Sequence, residues 1–101
     1  MGVFVKVAGV NDLKDGEGKT VEAKGEQIAL FKSKGGFFAV HNTCLHHEGP
    51  LGEGFLEENI VTCPWHGWQY DITNGKCQTT PDLAVKKYNV KIQGNDVMVE
   101  V

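Results

Sequence analysis

Cys44-Leu45-His46-His47-Glu48-Gly49-Pro50-Leu51-Gly52-Glu53-Gly54 and Cys63-Pro64-Trp65-His66-Gly67-Trp68-Gln69-Tyr70-Asp71 are the two stretches on which the reading of this chain turns. Each opens on one thiol and one imidazole, first as C-x-H and then as C-x-x-H, with sixteen residues between His46 and Cys63. Thiolate and imidazole are ligands for transition metals. Two ligands do not complete a site, so the pairs belong to one centre rather than to two. Convergence requires sharp backbone turns, which Gly49-Pro50, Cys63-Pro64 and Gly67 permit. Zinc motifs more often pair Cys with Cys at C-x(2–4)-C and His with His. C-x-H fits that pattern poorly, and a structural zinc site stays open as the alternative.

Outward from these loops, short runs rich in β-branched and aromatic residues recur between turn signals, at 3–7, 20–23, 27–32, 37–41, 59–62, 69–72, 88–93 and 96–101. They read as strands. Lys24-Gly25-Glu26, Lys34-Gly35-Gly36, Asn74-Gly75 and Gly94-Asn95 supply residues that tolerate positive φ in hairpin turns, so the pairing is antiparallel. Residues 11–19 have room for one helical turn capped by Asn11 or Asp12, followed by a Gly-rich loop. No long 3.6-residue apolar period occurs. The expectation is an all-β chain, one domain over residues 1–101, with its chemistry in the loops at about 42–54 and 63–71.

Composition agrees. The chain has 101 residues, 41% hydrophobic and 23% charged, with 13 glycines, which fits one globular domain with many turns. No stretch approaches the roughly 20 apolar residues of a membrane span, and no charged segment followed by an apolar run opens the chain. Three cysteines, an odd number, argue against a disulfide framework and for a reducing, cytoplasmic setting with a metal role. All ten basic residues are Lys, and none lies between Lys34 and Lys76, a gap that carries Glu48, Glu53, Glu57, Glu58 and Asp71. Without Arg or a basic stripe, nucleic acid is excluded as a partner.

The two loop motifs resemble those of the Rieske family, whose signature is C-x-H and C-x-x-H on two loops at about this separation. The similarity runs through 44–54 and 63–71, and more loosely along the whole chain, which is similar in length to the family's free-standing ferredoxins. The resemblance implies one [2Fe–2S] cluster, with Cys44 and Cys63 on one iron and His46 and His66 on the other, held in an antiparallel iron–sulfur fold with both cluster-binding loops at one tip. Replacing two thiolates by neutral imidazoles removes negative charge from the site and eases reduction. Respiratory-chain members carry a further Cys in each loop, where Gly49 and Trp65 stand here, and a Ser hydroxyl donor where Trp68 stands. Tyr70 occupies the position at which such members place a hydroxyl near a ligand sulfur, and it reads equally well as a core aromatic.

Of the remaining residues, Trp65 and Trp68 read as cluster shields or docking aromatics, with one of them in ordinary packing. His41 reads as a hydrogen-bonded strand-end histidine, His47 has no role in the family pattern, and Cys77 reads as a buried thiol. Gly16-Glu17-Gly18 lacks the third glycine and helix of a dinucleotide fingerprint. The resemblance therefore implies an electron carrier, monomeric when free, that takes electrons from a flavoprotein reductase and gives them to a terminal oxygenase. The alternatives are a small Rieske subunit of a larger oxidoreductase such as nitrite reductase, and a zinc-stabilised interaction module.

Overall fold

The computed structural model describes residues 2–43, 50–65, 67–80 and 82–101. Within them lie β1 (Phe4–Gly9), β2 (Glu17–Ala23), β3 (Glu26–Ser33), β4 (Gly36–His41), β5 (Phe55–Glu57), β6 (Ile60–Thr62), β7 (Gln69–Asp71), β8 (Lys87–Tyr88), β9 (Val90–Gln93) and β10 (Asp96–Glu100). A 3-10 turn at Leu51–Glu53 precedes β5. The strands form three antiparallel sheets, ordered β1-β10-β9, β2-β3-β4-β8 and β5-β6-β7. The all-β antiparallel expectation holds.

β3 shows why these layers stack. Its run Ile28-Ala29-Leu30-Phe31 is completely buried, and because side chains alternate across a strand, the run serves two cores. Ile28 and Leu30 pack with Leu13, Tyr88, Val97 and Val99 against the β1-β10-β9 side. Ala29 and Phe31 pack with Leu51, Val61, Cys63 and Tyr70 against the β5-β6-β7 side. Its partner β4 splits the same way, Ala39 to the first core and Val40 to the second. A continuous apolar run is what a strand covered on both faces requires.

The expected hairpin turns form. Lys24-Gly25 and Lys34-Gly35 hold positive φ at both residues, and Gly94 holds φ 62°. Three features differ from expectation. No helical turn forms within 11–19: the Asp12 N–H donates to Gly9 O at 3.0 Å while its carboxylate accepts the Gly9 N–H at 2.8 Å, closing a tight turn. Local side-chain bonding of this kind competes with helix. Gly16 at φ 90° then leads directly into β2. The strand expected at 88–93 is two strands. Tyr88 pairs with Ala39 in one sheet and Val90 with Val99 in another, and Asn89 marks the crossing, bonding Glu100 through its backbone carbonyl and its side-chain amide.

The third difference is β5, which was not expected. Its hairpin to β6 turns on Glu58-Asn59, with Glu58 at φ 55° and no glycine to announce it. The buried Ser33 hydroxyl donates to Glu58 O at 2.9 Å and lies 3.1 Å from Asn59 Oδ1. That anchor from the end of β3 offsets the unfavourable left-handed backbone.

Candidate metal centre

The second loop is built as the tip of the β6-β7 hairpin. The last register pair is Thr62 with Gln69, and the Gln69 side-chain amide also donates to Thr62 Oγ1 at 3.2 Å. The Cys63 N–H then donates to Trp68 O at 2.7 Å, closing the loop at its base. Gly67 holds φ 76°, left-handed backbone that glycine adopts without steric cost. Cys63 is 2% exposed and packs with Leu51, Val61 and Tyr70.

The first loop leaves the end of β4 and returns at the 3-10 turn. Thr43 and Pro50 form a bridge, and the Leu51 N–H donates to Asn42 O at 2.7 Å. Asn42 is 7% exposed and holds this junction with its side chain as well: Oδ1 accepts the Gly52 N–H at 2.8 Å and the Thr20 hydroxyl at 3.2 Å. Gly52 is required by close approach, since a Cβ there would lie 2.7 Å from the backbone of Lys19 and Thr20. Sequence reading missed Asn42 and Gly52. An Asn closing a strand before a Gly-Pro segment was the available signal, but its partners are remote in the chain.

The roots of the two loops meet. A Cβ on Gly54, at the end of the first loop segment, would collide with the carbonyl oxygen of Thr62, the residue before Cys63. Leu51 and Cys63 share one core. Of the four expected ligands the structure thus describes Cys63; Cys44, His46 and His66 lie outside the described residues, as do His47, Glu48 and Gly49. The described part fits a thiolate-ligated group: a buried sulfur at the closed base of one loop, with the base of the other packed against it. Burial keeps water and oxidants from a thiol that would act as ligand.

Tyr70 is completely buried in the core that holds Cys63, and Trp68 packs against the same core. Trp65 is 52% exposed, so of the two tryptophans it is the one at the surface. The backbone N–H of His41 donates to Lys86 O at 2.8 Å. Cys77 is buried, bridges to Tyr70 and accepts the Thr80 N–H at 3.3 Å, a structural role. Tyr88 donates to Glu26 Oε1 at 2.9 Å. Burial, then that bond and the charge of Glu26, push its phenol up to about 12. Among the described residues no helix is long and apolar enough to cross a membrane.

Comparison with known proteins agrees with this geometry. The family model for the Rieske [2Fe-2S] domain matches residues 3–89. The ferredoxin component of the naphthalene 1,2-dioxygenase/salicylate 5-hydroxylase systems of a Ralstonia species is 32% identical over 99 residues, covering 97% of this chain and 95% of that one. A chain from the complex of reduced oxygenase and oxidized ferredoxin in carbazole 1,9a-dioxygenase superposes with a TM-score of 0.88 at 25% identity, covering 96% of this chain and 92% of that one. A protein assigned as the NADH-dependent nitrite reductase small subunit of Mycobacterium tuberculosis superposes at 0.92 with 21% identity, covering 100% of this chain and 96% of that one, a likeness of fold alone.

Proposed function

Because this chain belongs to the Rieske [2Fe-2S] domain family, we propose that it is a one-electron carrier that receives electrons from a flavoprotein reductase and delivers them to a terminal oxygenase. One observation carries the reading. Over nearly its full length the chain matches the ferredoxin component of the naphthalene 1,2-dioxygenase/salicylate 5-hydroxylase systems, and the bases of its two motif-bearing loops meet beside the buried Cys63.

The proposed ligands are the Cys44 and Cys63 thiolates and the His46 and His66 imidazoles. Bound there, the cluster supplies a site that takes up and gives back one electron. The remaining work falls to the protein. Cys63 is held buried by the Cys63–Trp68 closure, which keeps its thiolate from solvent. Asn42 and the Thr43–Pro50 bridge fix the base of the other loop, limiting how far its ligands shift when charge changes. Exposed Trp65 in the second loop gives a partner an aromatic surface within two residues of Cys63.

The reading takes residues 1–101 as one domain and places the protein in the cytoplasm as a monomer when free. Support for the compartment is the odd cysteine count, with Cys77 buried in the core rather than offered for pairing. The test is single turnover. Protein reduced under anaerobic conditions should pass one electron per chain to a ring-hydroxylating oxygenase, and Cys63→Ser and His66→Ala should abolish transfer together with visible colour. Coloured protein that neither accepts electrons from a flavoprotein reductase nor donates them to an oxygenase would overturn the reading.

A further inference from the structure

We propose that the outer face of the β5-β6-β7 sheet is a docking surface for a redox protein whose own surface carries an apolar recess ringed by Lys and Arg, with Phe55 as the anchor. The proposal rests on the electron-carrier reading above. In this sheet the register sorts side chains cleanly. Leu56, Val61 and Tyr70 form the inward row, facing the core that holds Cys63. The rows on either side, Phe55–Thr62–Gln69 and Glu57–Ile60–Asp71, point the other way. Phe55, Thr62, Gln69, Glu57 and Ile60 frame, with Glu58, a shallow depression of about 310 Å3.

Phe55 is 75% exposed, the most exposed large hydrophobic residue among those described. Exposed Phe4, at the far sheet, has the Lys91 ammonium 5.5 Å from its ring centroid; among the described residues no lysine covers Phe55 in that way. Nor does any described ion pair engage Glu53, Glu57 or Glu58, whereas Asp12, Glu26 and Asp96 each have a lysine partner. An exposed aromatic ring among carboxylates that no described ion pair engages, in the part of the chain that has no Lys, is complementary to an apolar recess with a basic rim. Phe55 stands directly opposite Thr62, the residue before Cys63. A partner seated on Phe55 therefore lies beside the root of the cluster loop, which shortens the path an electron must cross.

The test uses the holoprotein, reduced, with two oxidants followed by stopped flow. Cytochrome c, a basic protein with lysines around its haem edge, takes one electron per haem and needs docking; ferricyanide takes one electron and needs none. Phe55→Ala should lower the second-order rate to cytochrome c by about tenfold and leave the ferricyanide rate unchanged. The Glu57→Lys, Glu58→Lys double variant should lower the cytochrome c rate and flatten its dependence on salt. Ile92→Ala, an exposed apolar residue on β9, serves as the control and should change neither rate. Equal cytochrome c rates for Phe55→Ala, Ile92→Ala and the unmodified protein would overturn the docking face while leaving the carrier reading intact. Failure to reduce even ferricyanide would overturn the carrier reading itself. If the unmodified protein proved a dimer by sedimentation and Phe55→Ala a monomer, the face would belong to a second copy of the chain and the proposal would fail.

Discussion

The side-chain oxygen of Asn42 accepts the backbone N–H of Gly52 at 2.8 Å, joining the two ends of the first loop across ten positions of the sequence. The same oxygen accepts the Thr20 hydroxyl, so one buried amide ties the loop to β2 as well. Asn42→Ala leaves both donors without that acceptor, a loss of about 1–3 kcal/mol for a buried group. Expressed as a rate, holoprotein carrying Asn42→Ala should bleach in chelator about tenfold faster than the unmodified protein. Asn42→Asp, which keeps an acceptor oxygen, should recover most of the difference. Equal bleaching rates for all three would show that the junction does not hold the loop.

Gly54 gives a second prediction about the meeting of the loops. Its position against the Thr62 carbonyl leaves no room for a Cβ, and the obstacle is backbone that cannot rotate aside. Gly54→Ala should push the 3-10 turn away from β6 and lower cluster occupancy on purification, whereas Gly16→Ala, in open space but at φ 90°, should cost only the left-handed backbone strain of roughly 1–2 kcal/mol and leave occupancy unchanged. Iron content per chain reads the difference.

Tyr88 makes stability depend on pH at the alkaline end. Its folded value is raised, from 10.0 to about 12, first by burial and then by Glu26. The protonated phenol is thus favoured by folding. The sign follows: its contribution is complete below pH 10 and is lost as pH rises from about 10 toward 12. The denaturant midpoint should fall across that window, and Tyr88→Phe should remove part of the fall while lowering the plateau slightly through loss of the Glu26 bond. An identical alkaline slope in both proteins would contradict the assignment.

The reduction potential follows from what the loops lack relative to respiratory-chain relatives. Gly49 and Trp65 stand where those proteins have an additional cysteine pair, and Trp68, packed against the core, stands where they have a Ser donor. Fewer donors to the reduced cluster make reduction harder. The midpoint should fall near the low end of the Rieske range, about −150 mV, and well away from +300 mV. Voltammetry of the holoprotein measures it directly, and a midpoint above zero at neutral pH would contradict the donor argument.

The Ile28–Phe31 run was legible as a strand, but only the structure shows that it serves two cores, because periodicity does not say what covers each face. Glycine-marked turns were legible from their chemistry. The Glu58-Asn59 turn was not, since Ser33 stabilises it from 25 positions away, and β5 was missed with it. The run at 88–93 reads as one strand because nothing local at Asn89 announces a change of sheet. The ligand motif is a matter of spacing and residue type, and of its four residues the structure describes Cys63. Asn42 depended on partners at Thr20 and Gly52 that no local pattern links.

The measurement that bears most directly on the central claim is the iron, acid-labile sulfide and zinc content of the purified protein, taken together with its visible spectrum. One [2Fe-2S] group held by the four proposed ligands predicts a red-brown protein with two irons and two sulfides per chain, and neither colour nor sulfide in Cys44→Ser or His66→Ala. A colourless protein with stoichiometric zinc and no sulfide would contradict it.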